Sequence, residues 1–584
     1  MKDLLEEKIN LPSRLRKRWE ICTAWNAEEA SPLKEVGVSP LMAQVLRNRG
    51  ISEADQARRF LSPVLSDLPS PSTMKDMDKA VARICKALRE NEKITIFGDY
   101  DVDGVTATSL LLLFLRGAGG RVDFYLPHRM KESYGLNVEA VKKIHARGTN
   151  LMITADCGIS NVEEVRWAEE NGLDVIITDH HEVPDLLPPA CAVLNPKQKD
   201  CSYPCKWLAG VGVAFNLVIA LRSALRQESF WEARGVPNLK EYLDLVALGT
   251  ISDIVPLLGV NRIFAKYGLE QLNLSARPGI MALKEVAGIR GMSLDSQDIN
   301  FRFAPRINAA GRLEDAQEAV RLLISEDGTE AKAVAAHLDT LNTFRQRIEE
   351  KILAEAREMI KPSPAGLEKK SLVLASANWH PGVIGIVASR LSEEYNRPTV
   401  LIALRDNWGK GSGRSIGPFS LFHGFKSCCE WVERYGGHEQ AAGLVIRQEC
   451  ILGFSEAFEE VVATRLTEED LIPRLSIDAL AGLDQMNDSV ISDIESLAPF
   501  GIGNPEPVLG VEDLTVLNSR LVGNGHLRLR IREGRWIKEA IGFRMASWHP
   551  LSGKRIRMAF SPRVNLYKGK RTLQLKIVDL QPLD

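Results

Sequence analysis

Ile94-Thr95-Ile96-Phe97-Gly98-Asp99-Tyr100-Asp101-Val102-Asp103-Gly104 is the stretch that decides the fold. A short apolar run empties into three carboxylates on alternate positions, and a helix-like apolar run, Val105 to Arg116, follows at once. Two later segments repeat the arrangement: Leu151-Met152-Ile153-Thr154 leads to Asp156-Cys157-Gly158, and Val175-Ile176-Ile177-Thr178 leads to Asp179-His180-His181. Strands alternating with helices of this length predict βαβ units and a parallel sheet. Such sheets place their sites at the C-terminal ends of the strands. So many anionic oxygens at one edge repel one another unless cations sit among them. The pattern predicts a metal site, and one built for two ions.

Three mimics of the first motif fail on particulars. An EF-hand loop opening at Asp99 would have Leu110, not Glu, at its last ligand position. The loop Gly98 to Thr106 has no P-loop lysine. In haloacid-dehalogenase-type phosphatases the strand runs straight into the nucleophilic Asp, whereas Gly98-Asp99-Tyr100 intervene before Asp101 here. That reading also leaves Asp179-His180-His181 without a job. A lone histidine is usually a core residue, but two in succession after a strand-end Asp can divide metal ligation and phosphate contact between them.

The 584 residues suggest about three or four domains. An apolar fraction of 45% and a charged fraction of 26% are those of ordinary globular protein. The opening Met1-Lys-Asp-Leu-Leu-Glu-Glu-Lys8 lacks the apolar core of a secretory signal, and Leu110 to Leu115 is too short to cross a bilayer. A cytoplasmic protein without membrane association is expected. Nine scattered cysteines predict reduced thiols, and Cys201-Ser-Tyr-Pro-Cys205 has no second pair at zinc-ligand spacing. The net charge of -2 conceals an asymmetry: between Thr515 and Ile577 fifteen Lys and Arg face only Glu533 and Glu539. A basic surplus confined to one end predicts a polyanionic partner.

Read in order, residues 1–45 are an accessory segment, and 46–310 an α/β domain with a parallel sheet. Residues 311–362 are a long helical spacer, running from Glu314 to Ile360 and ending at Lys361-Pro-Ser-Pro364. A second α/β domain occupies 363–465. In 466–584 the loop Pro499-Phe-Gly-Ile-Gly-Asn-Pro505 precedes short alternating strands dense in arginine, which predict a small OB-like β-barrel for single strands. The aromatics interleaved there (Trp536, Phe543, Trp548, Phe560, Tyr567) are candidate stacking groups, though most of them are expected in the barrel core.

At these residues the chain resembles the DHH phosphoesterases. Asp99-Tyr-Asp-Val-Asp-Gly104, Ala155-Asp-Cys-Gly158, Asp179-His-His181 and Gly249-Thr-Ile-Ser-Asp253 look like that family's four motifs. Gly411-Ser-Gly-Arg-Ser415 and Gly436-Gly-His-Glu-Gln-Ala-Ala-Gly443 are similar to its substrate-binding DHHA1 domain. Arg306-Ile-Asn-Ala-Ala-Gly-Arg312, the domain order and the basic barrel narrow the resemblance to the bacterial single-strand-specific 5′→3′ DNA exonucleases within that family. The resemblance implies two Mn²⁺ or Mg²⁺ ions on Asp101, Asp103, Asp156, His180 and Asp253, with Asp156 as the bridge. It implies catalytic roles for His181, on the scissile phosphate, and for Asp99 and Asp179, which orient ligands. Arg129, Arg306, Asn308, Arg312, Ser412, Arg414, Gly437 and His438 match positions that hold the strand and its terminal phosphate.

The implied activity is stepwise release of mononucleotides from single-stranded DNA in recombination and repair. A monomer working with single-strand-binding protein and a RecQ-type helicase is implied with it. Two other readings remain. Phosphodiesterases of short oligonucleotides or cyclic dinucleotides lack the basic barrel, and a single-strand-binding replication scaffold would have lost metal ligands.

Overall fold

A computed structural model describes residues 17–583, except 24–30, 129–131, 133–134, 229, 233, 290, 292, 361–368 and 568–569. Arg129 and the double-proline boundary at 361–364 lie outside the described residues. The chain divides into two compact units: one of Arg58–Arg345 with Leu497–Pro505, the other of Met1–Ala57, Gln346–Ser496 and Glu506–Asp584.

The first unit is built on five strands lying side by side in the order Arg121–Tyr125, Lys93–Gly98, Leu151–Ala155, Asp174–Thr178, Ala192–Leu194, all parallel. Lys93–Gly98 is buried after its first residue and Leu151–Ala155 throughout, as expected of strands covered by helices on both faces. The chain starts at Lys93–Gly98, steps to one side for Arg121–Tyr125, then crosses back to Leu151–Ala155 on the other. Connections therefore leave the two central strands in opposite directions, opening a crevice at their C-terminal ends. Asp99–Asp103 and Asp156 come off those two strands. The helix Val102–Gly117 is apolar on nearly every side, and it is buried against the helices Gly210–Gln227 and Leu243–Ser252.

The long helical stretch expected from Glu314 to Ile360 is present in two pieces, Gln317–Ile324 and Gly328–Ile360. The break carries its own capping chemistry: Ser325 Oγ donates to Glu330 Oε2 at 3.0 Å, and Asp327 Oδ1 accepts from Thr329 N at 2.8 Å. The first part of the long helix belongs to the first unit, with Ala331, Ala335, Leu338 and Leu341 in its core.

In the second unit the strands Arg434–Gly437, Ala441–Arg447, Trp408–Arg414, Thr399–Arg405 and Leu372–Ser376 form a mixed sheet in that order. The expected barrel is present. Leu509–Val522, His526–Glu533, Trp536–Gly542, Lys570–Pro582 and Arg555–Tyr567 are neighbours in that order, and Arg555–Tyr567 pairs back onto Leu509–Val522 to close it. Only the Trp536–Gly542/Lys570–Pro582 contact around the barrel is parallel. Among the described residues of the N-terminal segment, Arg18–Ile21 pairs in parallel with Arg474–Ile477, and Trp19 Nε1 donates to Asp579 at 2.8 Å. No helix among the described residues is long and apolar enough to cross a membrane.

Candidate metal centre

Each strand end hands its site residue over by continuing the sheet ladder for one bond. Asp99 N donates to Ala155 O at 3.2 Å, Asp156 N to Thr178 O at 3.0 Å, and Asp179 N to Leu194 O at 3.0 Å. Asp101 then caps the helix Val102–Gly117, its Oδ1 accepting from Asp103 N at 2.9 Å and Gly104 N at 3.1 Å. Asp103, one position into that helix, accepts from Gly210 N at 2.6 Å and Val211 N at 2.8 Å, the first amides of the helix Gly210–Gln227. Asp253 ends the helix Leu243–Ser252 and accepts from Ile254 N at 2.7 Å through one oxygen.

These elements bring seven of the expected residues together. Asp156, His180 and His181 form one group with ligand atoms within 4.8 Å of one another; Asp103, His180 and Asp253 form a second; Asp99, Asp101 and Asp156 form a third. Asp156 and His180 each belong to two groups, so the three overlap in one cluster; a carboxylate such as Asp156 can serve two adjoining cations, whereas the His180 imidazole can serve one. Asp99, expected to orient ligands, stands within ligand reach beside Asp101 and Asp156.

The electrostatics call for cations. Burial, then the neighbouring carboxylates Asp253 and Asp101, push Asp103 well above the ordinary carboxylate range. Burial, then Asp103, Asp101, Asp99 and Asp253, do the same to Asp156. Asp101 is raised by burial and Asp253. Burial lowers His180, which keeps it a neutral imidazole able to ligate, with Nε2 3.1 Å from Asp156 Oδ1 and 3.6 Å from Asp253 Oδ2. Asp156 Oδ1 and Asp253 Oδ2 are buried and make no hydrogen bond. Buried carboxylate oxygens with no donor are costly unless something positive meets them. The donor set, mostly oxygen with imidazole, suits Mn²⁺ or Mg²⁺.

Asp179 is different. Its Oδ1 accepts from His180 N at 2.7 Å, His181 N at 3.1 Å and His181 Nδ1 at 2.7 Å, and its Oδ2 accepts from Ile159 N at 2.9 Å. Burial works against its charge, yet the bond from His181 and the two imidazoles outweigh it and hold the carboxyl at about 2. Conversely, burial lowers His181, but the bond to Asp179 and the charges of Asp179, Asp99 and Asp253 raise it to about 9. Asp179 thus fixes the His181 ring and favours its protonated form.

Three glycines complete the site, and no role was read for them from the sequence. A Cβ on Gly104 would lie 2.6 Å from Asp99 O; on Gly210, 2.6 Å from Asp156 Oδ1; on Gly249, 2.9 Å from Asp103 Oδ1 and 2.3 Å from Thr106 Oγ1. Close approach of backbone to ligand demands their identity. Gly104 and Gly249 lay inside the quoted motifs, but Gly210 had no signal beyond the small residues around it.

The remaining described residues divide between the two units, Arg306, Asn308 and Arg312 in the first and Ser412, Arg414, Gly437 and His438 in the second. Arg306 donates to Asp339 at 2.8 Å, Arg302 O at 2.7 Å and Val286 O at 3.3 Å, three of its five guanidinium N–H groups. Asn308 and Arg312 are half-buried on the same helix, Ala304–Leu313, which continues from a π-helical turn at Ile299–Phe303. In the second unit Arg414 donates to Ser412 Oγ at 3.3 Å and Gly413 O at 2.7 Å. The start of the helix Ile384–Tyr395 presses on this pair, since a Cβ on Gly385 would lie 2.9 Å from Ser412 Oγ and 3.2 Å from the Arg414 guanidinium. Gly437 takes φ +131° at an exposed strand end, and His438 beside it is exposed, its N–H bonded to Ala441 O at 2.8 Å.

On the barrel the basic excess is smaller than its count. Arg528 pairs with Glu539, Arg555 with Asp513, and Arg563 and Lys576 with Glu506. Arg557 stacks over Trp19 and bonds Gln581. Arg520, Arg530 and Arg532 stay exposed on adjacent strands, and Ile537, opposite Arg532, is exposed beside Trp536. Phe560 is core and Trp548 packs on the core, but Trp536 and Phe543 are exposed, and the Tyr567 side chain lies outside the described residues.

Comparison with known proteins gives concordant matches. Residues 93–250 match the DHH family, N-terminal domain; 368–464 the DHHA1 domain; 477–579 the RecJ OB domain. The chain is similar to the single-stranded-DNA-specific exonuclease RecJ of Bacillus subtilis, 39% identical over 568 residues, 96% of this chain and 70% of the relative. Against the Escherichia coli RecJ it is 35% identical over 563 residues, 93% of this chain and 96% of the relative. Among solved structures, RecJ of Thermus thermophilus in complex with Mn²⁺ superposes with a TM-score of 0.82 at 32% identity, covering 97% of this chain and 80% of that one. The same protein with Mg²⁺ gives 0.77 at 30%, covering 97% and 78%.

Proposed function

The chain belongs to the RecJ family of single-stranded-DNA-specific exonucleases, and we propose on that premise that it removes mononucleotides from the 5′ end of single-stranded DNA. The observation that carries the reading is the convergence of Asp101, Asp103, Asp156, His180 and Asp253 in overlapping groups around buried carboxylate oxygens that make no hydrogen bond. These five residues would hold two Mn²⁺ or Mg²⁺ ions. Bound there, such ions supply Lewis acidity, activating water and neutralising the leaving oxygen.

The chain's own residues do the rest. Asp179 locks the His181 ring so that the imidazolium donates toward a phosphate oxygen of the scissile bond. Arg306, Asn308 and Arg312, on one helix, hold the strand, with Arg306 kept in place by Asp339. Ser412 and Arg414, beside the start of the helix Ile384–Tyr395, hold the terminal phosphate, and Gly437 and His438 line that end. Arg129 belongs to the same set by resemblance.

The barrel weighs against a phosphodiesterase of short oligonucleotides or cyclic dinucleotides, and the full ligand set weighs against a catalytically dead scaffold. The 5′→3′ polarity, a monomeric state in the cytoplasm, and work beside a single-strand-binding protein and a RecQ-type helicase are supported by the family resemblance alone.

Two measurements test the substrate contacts. Arg414→Ala should lower kcat/KM on 5′-phosphorylated strands by roughly ten- to a hundredfold, the weight of a charge-assisted bond, and spare 5′-hydroxyl strands. Equal losses on both substrates would move Arg414 out of the end pocket. On the barrel, replacing Arg530 and Arg532 with alanine should raise KM and flatten the salt dependence of binding by about 1.4 in log–log slope, from about 0.7 per phosphate. Unchanged slope would make them a solvated face. Substitution suits this test better than truncation, because the barrel also packs the N-terminal strand through Trp19.

A further inference from the structure

The loop Pro499-Phe-Gly-Ile-Gly-Asn-Pro505 lies between two segments of the second unit in sequence, yet it packs within the first. It is closed on itself: Gly501 and Asn504 exchange backbone bonds of 2.9 and 3.1 Å, and Asn504 Nδ2 donates to Leu497 O at 2.7 Å and Pro499 O at 2.9 Å. Arg262, 1% exposed, ties it down. Its guanidinium donates to Phe60 O at 2.6 Å, Ala498 O at 3.0 Å and Pro499 O at 3.5 Å, and it stacks on the Phe60 ring at 3.9 Å.

The loop's other side meets the segment that follows Asp253. Leu257 N donates to Ile502 O at 2.8 Å. A Cβ on Gly501 would lie 2.6 Å from Leu257 Cδ1, and a Cβ on Gly503, at φ +73°, would lie 3.0 Å from Pro256 Cβ. Pro256 O is held in turn by Asn261 Nδ2 at 3.0 Å. Between these anchors and Asp253 there are only Ile254, 83% exposed, and Val255, which is buried in the first unit's core. The loop, together with Val255, therefore supports the Asp253 segment.

We propose that residues 497–505, locked by Arg262, form a strut that positions Asp253 for metal binding, with Arg262, Gly501 and Gly503 as positioning residues. This rests on the reading of Asp253 as a metal ligand. A ligand held through such supports loses roughly ten- to a hundredfold in metal affinity when they are disturbed.

The test is Mn²⁺ binding to the full-length protein, followed by electron paramagnetic resonance, with the metal-free melting temperature recorded alongside. Gly503→Ala pushes the Pro256 ring. Gly525→Ala, at φ +83° in a barrel turn with nothing within 4 Å, carries the same backbone strain without that contact. Gly503→Ala and Arg262→Lys should weaken Mn²⁺ at least tenfold, and raise the Mn²⁺ needed for half-maximal activity, while kcat at saturating Mn²⁺ recovers. Gly525→Ala should bind Mn²⁺ like the unaltered protein. A merely structural role would lower the melting temperature and leave Mn²⁺ affinity in place, which would overturn the strut. Equal weakening by Gly525→Ala would overturn it too. If Arg262→Lys fails to fold, Gly503→Ala carries the test. Absence of Mn²⁺ binding in the unaltered protein would remove the metal reading itself, and the strut with it.

Discussion

Replacing Asp156 by asparagine is expected to lower metal-dependent hydrolysis on the order of a thousandfold or more, about 4 kcal/mol of barrier, while single-strand binding survives. Asparagine is the variant to use because Asp156 sits at φ 65°, where Asn is tolerated and Ala is strained. The same change should stabilise the metal-free protein. Burial and neighbouring carboxylates raise the Asp156 carboxyl well above its ordinary value, so the fold favours its protonated form. The sign follows from linkage. The penalty is absent below the unfolded carboxylate range near about 4, grows as pH rises through it, and is complete once pH passes the raised folded value. The melting temperature gained by Asp156→Asn should thus increase with pH in chelator, and Mn²⁺ should stabilise the unaltered protein more than the variant. Retained Mn²⁺-dependent hydrolysis in Asp156→Asn would contradict the site.

Gly210→Ala is expected to cost activity on the order of a hundredfold without touching a ligand's chemistry. Its Cβ would stand 2.6 Å from Asp156 Oδ1 and 2.7 Å from Asp156 Cβ, so either the carboxylate or the helix start must move. Moving the helix would also disturb Gly210 N and Val211 N, which hold Asp103. Both ligands should suffer, and titrating activity with Mn²⁺ should show it as a higher Mn²⁺ concentration at half-maximal rate. Normal turnover at limiting Mn²⁺ would mean that the cradle has more room than the geometry allows.

The ligands were legible in the sequence because their chemistry advertises itself: carboxylates and imidazoles ending apolar runs have few other reasons to be there. The parallel sheet was legible for the same physical reason, since strands buried on both faces read as continuous apolar runs. Gly210 was not, because a requirement for no side chain is set by what packs against it in space. Periodicity ran on past Ser325 since both flanking helices turn an apolar face to the core, and only the Ser-Glu-Asp-Gly capping run betrayed the break. Residues 499–505 read as a loop but not as part of the first unit, because long-range packing leaves no local pattern. The basic surplus was overcounted since Glu506 and Asp513, just outside the window, answer Arg563, Lys576 and Arg555. Which of the five candidate stacking aromatics would be core was not legible by residue type: Trp536 and Phe543 are exposed, and the barrel interior is filled by residues such as Leu527, Leu529 and Ile531.

Hydrolysis of single strands from one end at this metal centre is tested most directly by digesting, with Mn²⁺, a single strand labelled at either end and following release over time. The expected result is 5′ label released as mononucleotide from the first time points, 3′ label released last, and no release from either end in chelator. Early release of 3′ label, release of internal oligonucleotides, or digestion that continues in chelator would contradict it.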